Sequence, residues 1–283
     1  MSSVIETKEA YQVPANDYHN RPELSSSEVA AFLDDPIQWW HQWKLKDWKK
    51  KEPTIAMSFG TKVHDMAEHT LPAMIRAKGW ESFIKVIPAD VLNADGHCKG
   101  KLWTAWKEAN QSDFYLKPDE QNPFVQIWDH LMANSWCRSV IEHGQKEVEH
   151  FWEDEDLGPC RIKLDVALNN VLVDWKTTHK RTAREFANDA ASRSYDVRLA
   201  FYRRGFRDAF GCDPEVFIVA INTKGGFKVT PYRMPDAWLE DAEAKLILTV
   251  DDMKHFNLSR YLDCSPIVLE QPRYAVLNLE SIE

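Results

Sequence analysis

IKLDVALNNVLVDWKTTHK, residues 162–180, decides the fold. The stretch is apolar almost throughout, yet aspartates at 165 and 174 and lysines at 163 and 176 interrupt it. Asn169-Asn170 has the composition of a two-residue turn and predicts a hairpin. In that register Leu168 faces Val171, Asp165 faces Asp174 and Lys163 faces Lys176. Side chains alternate along strands, so the four charged residues share one face, while Val166, Val171, Val173 and Trp175 take the other.

Directly opposed carboxylates, with Cβ atoms about 4.5–5.5 Å apart, repel. The register therefore asks for a cation, and two readings meet the demand. Lys163 and Lys176 can neutralise the aspartates on a solvated sheet face. Alternatively, a hard divalent cation, Mg²⁺ or Mn²⁺, is held by the two carboxylates, the Trp175 backbone carbonyl and water, with coordination left open for a phosphate oxygen. Lys176 is then placed to hold or activate an attacking water. Glu147 and Glu149 on the preceding strand offer a further carboxylate, and the arginine-rich segment after Tyr195 offers phosphate partners.

Outward from the hairpin, residues 147–178 predict an antiparallel meander of three strands with turns at 156–158 and 169–170. YDVRLAFYRRGFRDAFG returns to helical period. It has a stripe of Tyr195, Leu199, Tyr202, Phe206 and Phe210, with Arg198, Arg203, Arg204 and Arg207 around it and Gly211 as C-cap. EVFIVAIN and GFKVTPYRM predict two more strands, and a closing helix follows with Leu239, Ala242, Leu246, Val250 and Met253 on its apolar side. The order β-β-β-α-β-β-α predicts an α/β fold, a mixed central sheet with an antiparallel meander, flanked by helices.

Toward the N-terminus, Ser25 and Glu28 form a capping-box pattern before Val29, Phe32 and Leu33, and Pro36 stops that helix. Residues 37–51 interleave tryptophans with lysines. This either stacks on a nucleic-acid strand or, more plainly, places tryptophans in the core with lysines outside. SFGTKVHDMAEHTL reads as a loop into a helix with Phe59, Val63, Met66, Ala67 and Thr70 on one side and Gly60, His64 and Glu68 on another. His64 is expected near the helix start, beside a glycine that lets another chain approach. Residues 124–143 predict one helix. We expect residues 1–23 to form a flexible arm and 24–283 a single domain, with a helical insertion around 88–123.

The 283 residues are 44% hydrophobic and 28% charged, with 12 tryptophans and a net charge of −9, which argues against a surface that coats nucleic acid nonspecifically but permits a local basic groove. The five cysteines lie far apart without a CxxC pair, which argues against zinc or an iron–sulfur cluster. With no 18-residue apolar run and no signal-like start, we expect a cytoplasmic protein with no membrane partner.

Asp165 followed by Asp174-Trp175-Lys176 on a hairpin resembles the PD-(D/E)xK nuclease superfamily, with Asp for the commoner Glu. SFGTKVH before it, DWKTT within it and YDVRLAFYRRGF after it are similar to the exonuclease VIII (RecE-like) family, close to the RecB-type nucleases. The resemblance covers roughly residues 24–250. It implies a restriction-endonuclease-like core and an active site of His64, Asp165, Asp174 and Lys176. Metal would be held by His64, Asp165, Asp174 and the Trp175 carbonyl, with Glu149 as a helper. Where that family's helix usually carries Gln-x-x-x-Tyr, this chain has Arg198 and Tyr202. With Lys180, Arg181, Arg184 and Arg203, these are candidates for gripping DNA.

The resemblance further implies a Mg²⁺-dependent double-stranded DNA exonuclease, with Mn²⁺ substituting, of bacterial or phage origin. It would digest duplex ends 5′ to 3′ and leave a 3′ single strand for a RecT-like annealing protein. It would work as a homo-oligomer, a tetrameric ring. Two alternatives keep the fold: an endonuclease, or a catalytically silent DNA-binding subunit.

Overall fold

The computed structural model describes residues 18, 21–48, 55–68, 83–112 and 114–262. The chain first builds helices around capping side chains. In α1, Ser26–Asp34, the Ser25 hydroxyl accepts the Glu28 N–H. Asp35 then caps α2, Pro36–Trp39, by accepting from the Ile37 and Gln38 amides, so Pro36 opens a second helix as well as closing the first. A π-helical turn, Trp40–Leu45, follows. Trp39 is fully buried against Phe32 and Phe256, and Trp40 and Trp43 pack on the same cluster, so these tryptophans are core residues.

Helix α3 spans Ile55–Glu68. His64 therefore sits in its second half and not near its start, a correction to the expectation above. Strands β1, Ile84–Val86, and β2, Phe114–Leu116, pair in parallel and carry between them α4, Gly100–Ala109, the insertion helix expected around 102–109. The single helix expected over 124–143 is two, α5, Gln121–Ala133, and α6, Ser135–His143. The Asn134 side chain accepts from the Trp136 and Cys137 amides, and that cap starts a new helix.

The main sheet follows in sequence order: β3, Gln145–Asp154; β4, Gly158–Leu168; β5, Val171–Thr178; β6, Glu215–Asn222; and β7, Val229–Arg233. Strands β3, β4 and β5 form the expected antiparallel meander, β6 joins β5 in parallel, and β7 is antiparallel to β6. Two helices make the β5–β6 crossover. These are α7, Ala183–Ser192, set off by a capping box between Thr182 and Glu185, and α8, Tyr195–Phe210, closed by Gly211 at φ +70. The sequence pattern resolved only α8. Helix α9, Asp236–His255, buries Leu239, Ala242, Leu246, Val250 and Met253 as its periodicity predicts.

Both sheet faces are covered. Ile162, Leu164, Leu172 and Ile218 pack under α1, α2, α8 and α9. Val166, Val173, Trp175, Val219 and Ile221 pack against α3, α5 and α6. Burial on both sides explains why residues 162–175 read as a nearly unbroken apolar run. Of the N-terminal arm, Tyr18 is buried, with the Arg161 guanidinium 4.9 Å above its ring; residues 1–17 and 19–20 lie outside the described residues, as do the 49–51 end of the tryptophan–lysine stretch and Thr70. Among the described residues no helix is long and apolar enough to cross a membrane.

Helix α8 lies close to the sheet because Gly205 lacks a side chain: a Cβ there would stand 2.5 Å from Ile162 Cδ1 and 3.0 Å from the Trp152 ring. Gly205→Val is expected to destabilise the fold by about 1–3 kcal/mol through overpacking, read as a lower urea midpoint with an unchanged m-value.

Candidate active site

The hairpin begins in the predicted register, with Leu168↔Val171, Ala167↔Leu172 and Val166↔Val173 paired and Asn169 turning at φ +52. Pairing stops there. Beyond it the Asp165 carboxylate fills the gap and accepts the Trp175 N–H at 2.8 Å. On β4 the alternation slips at the same place: Ile162, Leu164 and Ala167 belong to one core cluster while Val166 belongs to the other. On β3, Glu147 takes φ +49, and Glu147 and Asp165 are missing from an otherwise continuous register. The irregularity is a break of one unpaired residue on each strand, with the register unchanged on either side, and it re-aims Asp165.

The flat square of four charges is therefore corrected. Lys163 turns to β3, with Nζ 2.8 Å from Glu147 Oε1 and 3.9 Å from Glu149 Oε1. Lys176 keeps Asp174 as its ion-pair partner, donates to the Trp175 carbonyl at 3.2 Å, and lies 5.5 Å from the centre of the Tyr195 ring on α8.

Helix α3 closes the opposite side. A Cβ on Gly60 would lie 3.0 Å from Thr177 Oγ1, so the glycine does permit the close approach expected of it. One turn later His64 Nδ1 lies 3.9 Å from Asp165 Oδ2, and 3.5 Å from Glu68 Oε1. His64, Glu68 and Asp165 each offer a ligand atom within 4.8 Å of the others. An imidazole and two carboxylates suit a divalent cation.

A family model for a PDDEXK-like domain of unknown function, DUF3799, matches residues 25–260. The chain belongs to this family. No curated protein sequence matches the chain. Among solved structures, a protein from Eubacterium rectale that carries the provisional name exonuclease aligns at a TM-score of 0.59 and 15% identity, covering 92% of this chain and 96% of that one. A phage-related exonuclease from Haemophilus somnus 129PT aligns at a TM-score of 0.33 and 13% identity, covering 84% and 95%. The first shows that the fold is shared.

Electrostatics of this DUF3799 domain follow from crowding. Burial, and then the Asp174 charge, push the Asp165 carboxyl up to about 7, against the opposing pull of Lys176 and His64. Burial works against charge on His64, but the Glu68 carboxylate and Asp165 leave the imidazole above its ordinary value. Burial likewise opposes charge on Lys176, and Asp174 and Asp165 outweigh it, so the ammonium is held. On α8, Arg198 hydrogen-bonds Tyr202 and lies in the field of Asp174.

Other expected residues lie elsewhere. Glu149 does not join the metal-ligand group; it faces Lys163 and the surroundings of Tyr18. Glu68 takes the place expected of it. Its signal was already in the sequence, because a residue four after His64 shares its helical face. Arg203 is buried and donates to Asp213 at 2.8 Å, so it is a structural ion pair and not a DNA contact. Arg204 with Asp154 and Asp156, and Arg207 with Asp213 and Glu243, are engaged in the same way. Lys180, Arg181 and Arg184 are exposed beyond β5.

Asp165 has a native value near 7 and an unfolded value of about 4. Its contribution to the stability of the metal-free protein is thus full below pH ~4 and lost as pH rises through ~7. Asp165→Asn should flatten that fall and melt higher than wild type at pH ~8 without metal. Conversely, stabilisation of the wild type by Mn²⁺ should grow between pH ~6 and ~8, as Asp165 and His64 release their protons; differential scanning fluorimetry reads both.

Proposed function

We propose that this domain is a metal-dependent nuclease acting on double-stranded DNA. The observation that carries the reading is the opened hairpin, where Asp165, Asp174 and Lys176 meet His64 and Glu68 between two helices. A sheet built only for stability would not part its central strands around two carboxylates. Oxygen-rich ligands with one imidazole fit Mg²⁺ or Mn²⁺, with Asp165, Glu68, His64, Asp174 and the Trp175 carbonyl as the residues to hold it. Such an ion, when bound, supplies Lewis acidity toward a phosphoryl oxygen and acidifies a coordinated water.

The chain's own groups do the rest. Lys176, fixed by Asp174 and the Trp175 carbonyl, holds the attacking water and remains an ammonium that offsets charge as the phosphorane forms. Arg198 and Tyr202, linked to each other beside Asp174, can donate to the non-bridging oxygens. His64 lies beside both Glu68 and Asp165, its Nδ1 3.5 Å from the one carboxylate and 3.9 Å from the other.

Resemblance to the RecE-like branch supports the finer reading: Mg²⁺-dependent exonucleolytic digestion from duplex ends, 5′ to 3′, by an oligomeric ring that leaves a 3′ strand for an annealing protein. The test is digestion of linear and covalently closed duplex with Mg²⁺. We expect linear DNA to disappear while closed circles persist, and 5′-labelled ends to be released first. Lys176→Ala and Asp174→Asn should each lower the rate by at least about 10²-fold. Cutting of closed circles would establish an endonuclease instead, and linear duplex left intact by wild type would end the nuclease reading.

A further inference from the structure

We propose that the segments 178–184 and 222–228 form a cradle for backbone phosphates of the bound DNA strand, within about four nucleotides of the phosphate at Lys176. The proposal rests on the nuclease reading and names where its substrate lies. A shallow pocket there is lined by Thr178, Lys180, Arg181, Asn222, Lys228 and Tyr232. It lies on the sheet face that carries Asp174 and Lys176: Thr178 is the next residue on that face of β5, and Asn222 is its partner on β6. From Lys176 to Lys180 the chain spans at most about 14 Å, or about four nucleotide rises of ~3.4 Å.

The two segments are built as one unit. The Asn222 side-chain amide donates to the Lys180 carbonyl at 2.9 Å, and the Thr223 N–H donates to the Thr178 carbonyl at 3.0 Å. The Thr223 hydroxyl lies 3.0 Å from His179 Nδ1. Gly225, Gly226 and Phe227, at φ +60, +79 and +47, turn the loop back so that Lys224 and Lys228 flank it. The His130 ring, 2.8 Å from the Phe227 carbonyl, ties the turn to α5.

Charge identifies the ligand. Residues 175–184 and 220–230 contain Lys176, Lys180, Arg181, Arg184, Lys224 and Lys228 and no Asp or Glu, in a chain of net charge −9; the adjoining Glu185 carboxylate accepts from the Arg181 and Thr182 amides as the cap of α7. Lys180 lies 3.7 Å from Asp189, but the side chains of Arg181, Arg184, Lys224 and Lys228 form no ion pair among the described residues. On α8, by contrast, Arg203, Arg204 and Arg207 are all held by carboxylates. A concave group of unneutralised cations in line with a phosphodiester site is complementary to more of the same backbone.

The experiment compares full-length wild type with Lys224→Gln/Lys228→Gln and with Lys85→Gln/Lys101→Gln, whose exposed lysines lie on β1 and α4. Binding of a short fluorescein-labelled duplex is followed by anisotropy with Ca²⁺ in place of Mg²⁺, over a range of salt. The loop pair is expected to bind about tenfold more weakly and to flatten the plot of log K against log salt by about 2, while the control pair matches wild type. Wild-type affinity in the loop pair, or equal losses in both pairs, overturns the cradle alone. Wild type that binds no DNA overturns the cradle and the nuclease reading together.

Discussion

In a regular hairpin the backbone would pair across positions 165 and 174. Here the Trp175 N–H donates to the Asp165 carboxylate instead, at 2.8 Å. A side chain replaces a ladder acceptor, so the amide stays satisfied while the strands part. Asp165 thereby reaches His64 on α3, while the neighbouring Asp174 keeps Lys176, which lies beside Tyr195 on α8. Without that substitution the two carboxylates would oppose each other on one surface, as the plain register demands.

The fork is held from both sides by close helix packing. Gly60 brings α3 onto Thr177, and Gly205 brings α8 onto Ile162 and Trp152. Between them, His64, Lys176 and Arg198 balance Asp165, Asp174 and Glu68 in a poorly hydrated space. There an unneutralised charge would be costly, and Asp165 responds by holding its proton to about 7. In the metal-free chain the imidazole of His64 and the ammonium of Lys176 supply positive charge beside the carboxylates. A divalent cation would take over that role.

Use of arginine divides this chain in two. On α8, Arg203, Arg204 and Arg207 fasten the helix to Asp213, to the β3–β4 turn and to α9, and Arg198 alone of the four turns to the site. The helical stripe could not separate these roles, because the partners Asp154, Asp156, Asp213 and Glu243 come from distant segments. Glu149 failed for a similar reason. The sequence set it on the strand before the hairpin, but the unpaired step at Glu147 and Asp165 sends the two halves of the strands to different surroundings.

Local chemistry settled much by itself. Asn169-Asn170 set the turn and its register, the apolar run marked strands buried on both faces, and the 3.6-residue period of α9 named its buried side residue by residue. Asp165, Asp174 and Lys176 stood out because charges within apolar segments are costly unless they act together, and His64 through the resemblance of SFGTKVH to a nuclease motif. Only the tertiary structure showed that the hairpin opens after three pairs, that Glu68 gathers with His64 and Asp165 while Glu149 does not, and that Arg203 is a clamp. Those outcomes depend on contacts between residues far apart in the chain, and a periodic pattern carries the face of a side chain but not the partner that face will meet.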